Sequence, residues 1–106
     1  VMKEFTFNDI KFRLGEHAKE NHLLIDESDP EDWWVHLDNL SSGHCIVECD
    51  DLKKDLCLYA AQLIKDHSKY RHYKKLKVIY LQIKNIRKTK NPGQVTLLKN
   101  PDCLTI

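Results

Sequence analysis

The 106-residue chain lacks any run near the roughly 20 consecutive apolar residues that a membrane-spanning helix needs. It opens without the charged and then apolar leader of a secreted protein, so the expectation is a cytoplasmic protein with no membrane partner. Cys-x-x-Cys and HExxH are both missing, and with them two familiar zinc signatures. Repeats, low-complexity tracts and linker-like stretches are absent as well, which leaves one domain over residues 1–106. The four cysteines, Cys45, Cys49, Cys57 and Cys103, sit among apolar neighbours; that suits reduced, buried thiols better than a disulfide scaffold.

Acids are scarce in one half only. Of the 16 acidic residues, 14 lie within the first 65 positions with 7 bases, while the remainder holds 10 bases and 2 acids. Charges that served only solubility would not divide in this way. The segments "KYRHYKKLK" and "KNIRKTK" carry Lys69, Arg71, Lys74, Lys75, Lys77, Lys84, Arg87, Lys88 and Lys90 on either side of one apolar stretch, with Tyr70, His72 and Tyr73 interleaved. Concentrated positive charge with aromatics between is the footprint expected for a polyanion, although most charge runs are simply a solvated face.

The pattern of apolar residues predicts an α+β domain, mostly antiparallel sheet. "EFTF" and "IKFRLG" read as strands around an Asn-Asp turn, and a short helix follows over about 17–25 before Ser28-Asp29-Pro30. A long amphipathic helix is expected over about 51–66, because Leu52, Leu56, Tyr59, Ala60 and Leu63 form one stripe. Asp50 or Asp51 is placed to cap it and to meet the positive end of its dipole. "VIYLQI" has the character of a central strand, and "VTLL" and "CLTI" close the domain.

In "DWWVHLD", Trp33, Val35 and Leu37 share one side of a strand, and Trp34, His36 and Asp38 share the other. If the core is one-sided, Trp33 anchors it and Trp34 faces outward with His36 and His44, a platform on which unpaired bases stack for roughly 1–3 kcal/mol each. If a helix covers the second face, both indoles are buried. His36 and His44 approach across a turn, but no third ligand accompanies them, and Cys45 and Cys49 point to the opposite side; neither a metal nor another cofactor is expected. Ser41, Ser42 and Cys45 lie near His44 without evidence of a base in reach or an oxyanion hole, so no catalytic residue and no small-molecule substrate is assigned.

Three segments, "AKENHLL", "PEDWWVHLDNLSSGH" and "VIYLQIKNIRKTKNPGQVTL", resemble in order the signature stretches of the NFACT-R family. The resemblance runs from about Phe5 to Ile106. It departs at Gly15-Glu16-His17, where large members of that family carry Gly-Arg-Asn. The likeness implies a non-enzymatic RNA-binding domain of ribosome quality control, contacting ribosomal or transfer RNA and through it the ribosome. DNA is the alternative polymer, since the two share phosphates, and a protein-interaction module is a third reading. The residues expected to meet nucleic acid are Trp34, His36, His44, Lys74, Lys75, Lys84, Arg87, Lys88 and Lys90.

Overall fold

Asn8 and Asp9 both adopt left-handed backbone conformations, with φ of 51° and 63°. Asn and Asp tolerate that region better than other non-glycine residues, and two such residues make the tight turn whose twist suits a hairpin. The turn joins β1 (Lys3–Phe7) to β2 (Ile10–Gly15), paired from Phe7 with Ile10 to Lys3 with Leu14. The computed structural model describes residues 2–106. After β2 come α1 (Ala18–Glu27), β3 (Trp33–Leu37), β4 (His44–Val47), α2 (Lys54–Asp66) and β5 (Lys77–Gln82). A 3-10 turn (Ile83–Asn85) leads to β6 (Ile86–Lys88), β7 (Val95–Leu97) and β8 (Asp102–Thr105).

Six strands form one sheet in the order β1-β2-β4-β3-β5-β8, each pair antiparallel; β6 and β7 make a separate hairpin. The α+β expectation and its mostly antiparallel sheet therefore hold. One face packs under α2, where Leu56, Ala60 and Ile64 meet Leu14, Val35 and Val47. The opposite face is covered too: Trp34, Ile46, Ile79 and Leu81 pack with Leu24 and Ile25 of α1 and with Ile86 of the hairpin. All four residues of β4 are buried, as a strand covered on both faces requires.

Helix α2 begins three residues later than the apolar stripe suggests. Lys53 is extended and occupies the N-cap position without a side-chain cap, so neither Asp50 nor Asp51 caps the helix. The backbone N–H of Lys53 instead donates to Asp51 in a preceding turn, and Asp55 takes the place beside the positive helix end. Helix α1 runs two residues beyond its expected end and stops where Ser28 donates from its hydroxyl to Leu24, 2.6 Å. Cys45 and Cys57 are buried, Cys49 is half-buried and Cys103 is exposed, so the expectation of four buried thiols fails for the last two; all four are free.

Candidate nucleic-acid interface

Alternation along β3 sets Trp34 and His36 side by side on the face that α1 and the hairpin cover. Their rings stack at 5.3 Å, nearly parallel, and His44 from β4 meets both edge-on at 5.5 and 5.0 Å. Trp34 is 2% exposed and His44 1%. Trp34 therefore does not present an outward stacking surface. The physical reason is the second layer: His36 lies against the indole face, and Leu24, Ile25 and Ile86 cover the remainder. Trp33 packs at the margin of the opposite core and donates from its indole to the Asp50 carbonyl, 3.0 Å.

Burial holds the two imidazoles neutral. It pushes His44 down to about 3, with the adjacent His36 adding to the effect and only a backbone contact at Gly93 opposing it. Burial lowers His36 as well, against hydrogen bonding to the backbone of Leu37 and Ser42. The Nδ1–H of His36 donates to the Leu37 carbonyl at 2.6 Å. Two polar atoms of the cluster, Trp34 Nε1 and His44 Nδ1, are buried with no hydrogen-bond partner among the described residues.

Above these rings lies an open cleft of about 740 Å³. Glu16, His17, Ala18 and Asn21 form one wall at the start of α1, the 38–42 loop forms a second, and Pro92, Gly93 and Gln94 at the hairpin tip form a third. Asn21, buried itself, accepts the His44 backbone N–H at 3.0 Å and so ties α1 to the end of β4. Glu20 accepts the Glu16 N–H at 3.0 Å, which fixes the entry to the helix and lowers its own carboxyl pKa. Gly93 has φ of +84° and packs so close to Ala18 that a Cβ there would lie 3.1 Å from the alanine methyl. Asn21 and Gly93 were not legible as site residues in the sequence, because their partners His44 and Ala18 lie far along the chain and hydrophobic periodicity carries no signal for them; Glu20 makes a local bond to Glu16 that no motif marks.

The expected cations do not form one patch. Lys74 and Lys75 precede β5, beside the cleft, since the Asp38 N–H donates to the Lys77 carbonyl at that end of the sheet. Lys84 follows β5 at its other end, about 20 Å away for a strand of this length, and it pairs with Glu31 at 3.1 Å. Lys88 pairs with Asp26 of α1. Lys77 pairs with Asp38 at 3.7 Å. Among the described residues, Lys69, Arg71, Lys74, Lys75, Arg87 and Lys90 make no ion pair. All six are exposed, and Lys90 sits two residues before the hairpin wall of the cleft. Tyr73, 54% exposed, stands between Arg71 and Lys74 and meets Tyr70 edge-on at 5.2 Å. It is the open aromatic that Trp34 was expected to be.

Among the described residues no group of three His, Cys, Asp or Glu side chains could hold a metal ion, and no helix is long and apolar enough to cross a membrane. Residues 5–99 match the profile of a family described as the NFACT protein RNA binding domain. Coiled-coil domain-containing protein 25 of Danio rerio is 31% identical over 83 residues, covering 72% of this chain and 40% of the relative. Its Bos taurus counterpart is 30% identical over 98 residues, covering 84% of this chain and 47% of the relative. The chain thus spans less than half the length of these curated relatives. Among solved structures, the C-terminal of the fibronectin/fibrinogen-binding protein from Streptococcus suis matches with a TM-score of 0.90. That match covers 99% of this chain and 44% of the other at 21% identity, and shows a shared fold.

Proposed function

The chain belongs to the NFACT RNA-binding domain family, and from that premise we propose that it binds single-stranded RNA without catalysing a reaction on it. The observation that carries the reading is the segment 69–75: four exposed, unpaired cations with Tyr73 open between them. Unpaired cations can release phosphate counterions on binding without first breaking an ion pair, and an exposed tyrosine can stack on a base. Arg87 and Lys90, exposed and without an ion pair among the described residues, offer separate phosphate contacts on the hairpin. Lys84 and Lys88 contribute less, because Glu31 and Asp26 already hold them. Trp34, His36 and His44 serve the interface as the floor of the adjoining cleft, not as a stacking surface.

Ribosomal or transfer RNA in the cytoplasm fits the family and the free thiols, and the ribosome is then the larger partner. Asp29, Glu31 and Asp32 of the acidic first half cluster at the Lys84 end of β5, opposite the end that the segment 69–75 precedes, where they would repel phosphate and so orient the domain on its ligand.

Fluorescence anisotropy at one stated salt concentration, with single-stranded RNA, single-stranded DNA and duplex RNA of equal length, tests the proposal. Tightest binding to single-stranded RNA is expected, with crosslinked peptides mapping to 69–75. Equal affinity for single-stranded DNA would move the assignment to nucleic acid in general, and no binding to any of the three would overturn it.

A further inference from the structure

A hydroxyl both donates and accepts a hydrogen bond, while an indole N–H can only donate and a neutral imidazole leaves one nitrogen as an acceptor. Such a complementary pair lies buried beneath the floor of the cleft. Trp34 Nε1 and His44 Nδ1 belong to rings that line it, both side chains are more than nine-tenths buried, and neither atom has a hydrogen-bond partner among the described residues. A buried polar atom without a partner costs about 1–3 kcal/mol, so a ligand group that satisfies it is favoured by a similar amount.

The walls decide which kind of ligand. Among the described residues, Glu16 and Asp38 line the cleft with the neutral Asn39, Ser41 and Ser42, and no Lys or Arg does; the lysines that pair with the two carboxylates, Lys3 at 2.9 Å and Lys77 at 3.7 Å, are outside the lining. Carboxylates accept from sugar hydroxyls and repel phosphate. An internal nucleotide brings a phosphate on each side of its ribose, whereas the last nucleoside of a strand brings one and ends in a free vicinal diol. The space, about 740 Å³, lies within the range of pockets that take ligands of nucleoside size. Cations stand outside the walls: Lys77 pairs with Asp38 on the rim, Lys74 and Lys75 precede it in the chain, and Lys90 precedes the hairpin wall.

We propose that this cleft holds the unphosphorylated 3′-terminal nucleoside of an RNA strand, read through its ribose hydroxyls, while the cations outside meet the preceding phosphates. The inference rests on the RNA-binding reading above and narrows it to one end of the strand. Trp34 Nε1 and His44 Nδ1 are shielded from solvent, so binding requires the hairpin tip to move outward before the hydroxyls can reach them. That tip is held to α1 by the close approach of Gly93 to Ala18 and a long contact of 3.4 Å from His22 to the Gln94 carbonyl, and to His44 by the backbone contact at Gly93, which the movement would break.

The test uses tetranucleotides that differ only at the last sugar: a free 2′,3′-diol, a 3′-phosphate, and a 2′,3′-dideoxy end. Binding of the diol about tenfold tighter than of the 3′-phosphate is expected, with the dideoxy end also weakened. The substitution Asp38→Asn should narrow the gap between diol and 3′-phosphate, and because it releases Lys77 from its ion pair it should not weaken the binding of a circular RNA. Equal affinity for the diol and the 3′-phosphate overturns the inference and leaves general RNA binding standing. Loss of binding to every oligonucleotide, circular RNA included, overturns both. Displacement of the diol oligonucleotide by micromolar adenosine alone would assign the cleft to a free nucleoside and overturn the RNA-end reading.

Discussion

Lowering the pH from 7.5 to 5.0 should destabilise this domain through His44. In the fold its imidazole is driven down to about 3 by burial and by His36; in the unfolded chain it titrates near 6.5. Between these values the unfolded state binds a proton that the folded state does not. Stability therefore rises with pH across the window and falls as the medium is acidified below about 6.5. The loss is about 1.4 kcal/mol per pH unit, so about 2 kcal/mol has gone by pH 5 from this residue alone. His36 is shifted in the same direction and adds to the loss. Urea unfolding of the native chain and of His44→Gln at both pH values separates the contributions, since His36 and the carboxylates remain in the variant. The native chain should lose about 2 kcal/mol more than His44→Gln between the two pH values. Equal losses would mean that His44 is protonated as freely in the fold as outside it, and the buried, neutral ring cluster would be refuted.

Asn21→Ala leaves the His44 backbone N–H without its acceptor and should cost about 1–3 kcal/mol in urea unfolding, concentrated in faster amide exchange at the end of β4. Gly93→Ala places a side chain at a φ of +84° against Ala18; a destabilisation of about 1–2 kcal/mol with weakened RNA binding is expected, and an unchanged melting midpoint would contradict the close packing of the hairpin tip. Tyr73→Ala should leave stability within about 0.5 kcal/mol, because the ring is largely exposed, yet weaken single-stranded RNA binding by about 1–3 kcal/mol as measured by anisotropy.

Strand periodicity identified which residues share a face of β3, and the contact of His36 with His44 was implicit in the hairpin around "NLSSG". Alternation could not say whether the second face is covered. The usable signal lay elsewhere, in the unbroken apolar runs "CIV" and "VIYL", which suit strands buried on both sides. The stripe on α2 was plain, but its first turn was not, because Asp50 and Asp51 are good capping residues that the chain uses in a turn. The cations of the second half looked like one surface because they are neighbours in sequence. In space β5 separates them, and carboxylates of the acidic first half, Glu31 and Asp26, neutralise two of them. Pairings between residues more than 50 positions apart, as between Glu31 and Lys84, leave no local trace in composition.

The dependence of RNA affinity on salt measures most directly whether the unpaired cations hold phosphates. For a single strand, each phosphate contact removed should flatten the slope of log affinity against log salt by about 0.7. Lys74→Gln, Lys75→Gln and Lys90→Gln should each show that change, while Lys84→Gln, already paired with Glu31, should show much less. Unchanged slopes in the first three variants, or a full effect in Lys84→Gln alone, would contradict the proposed interface.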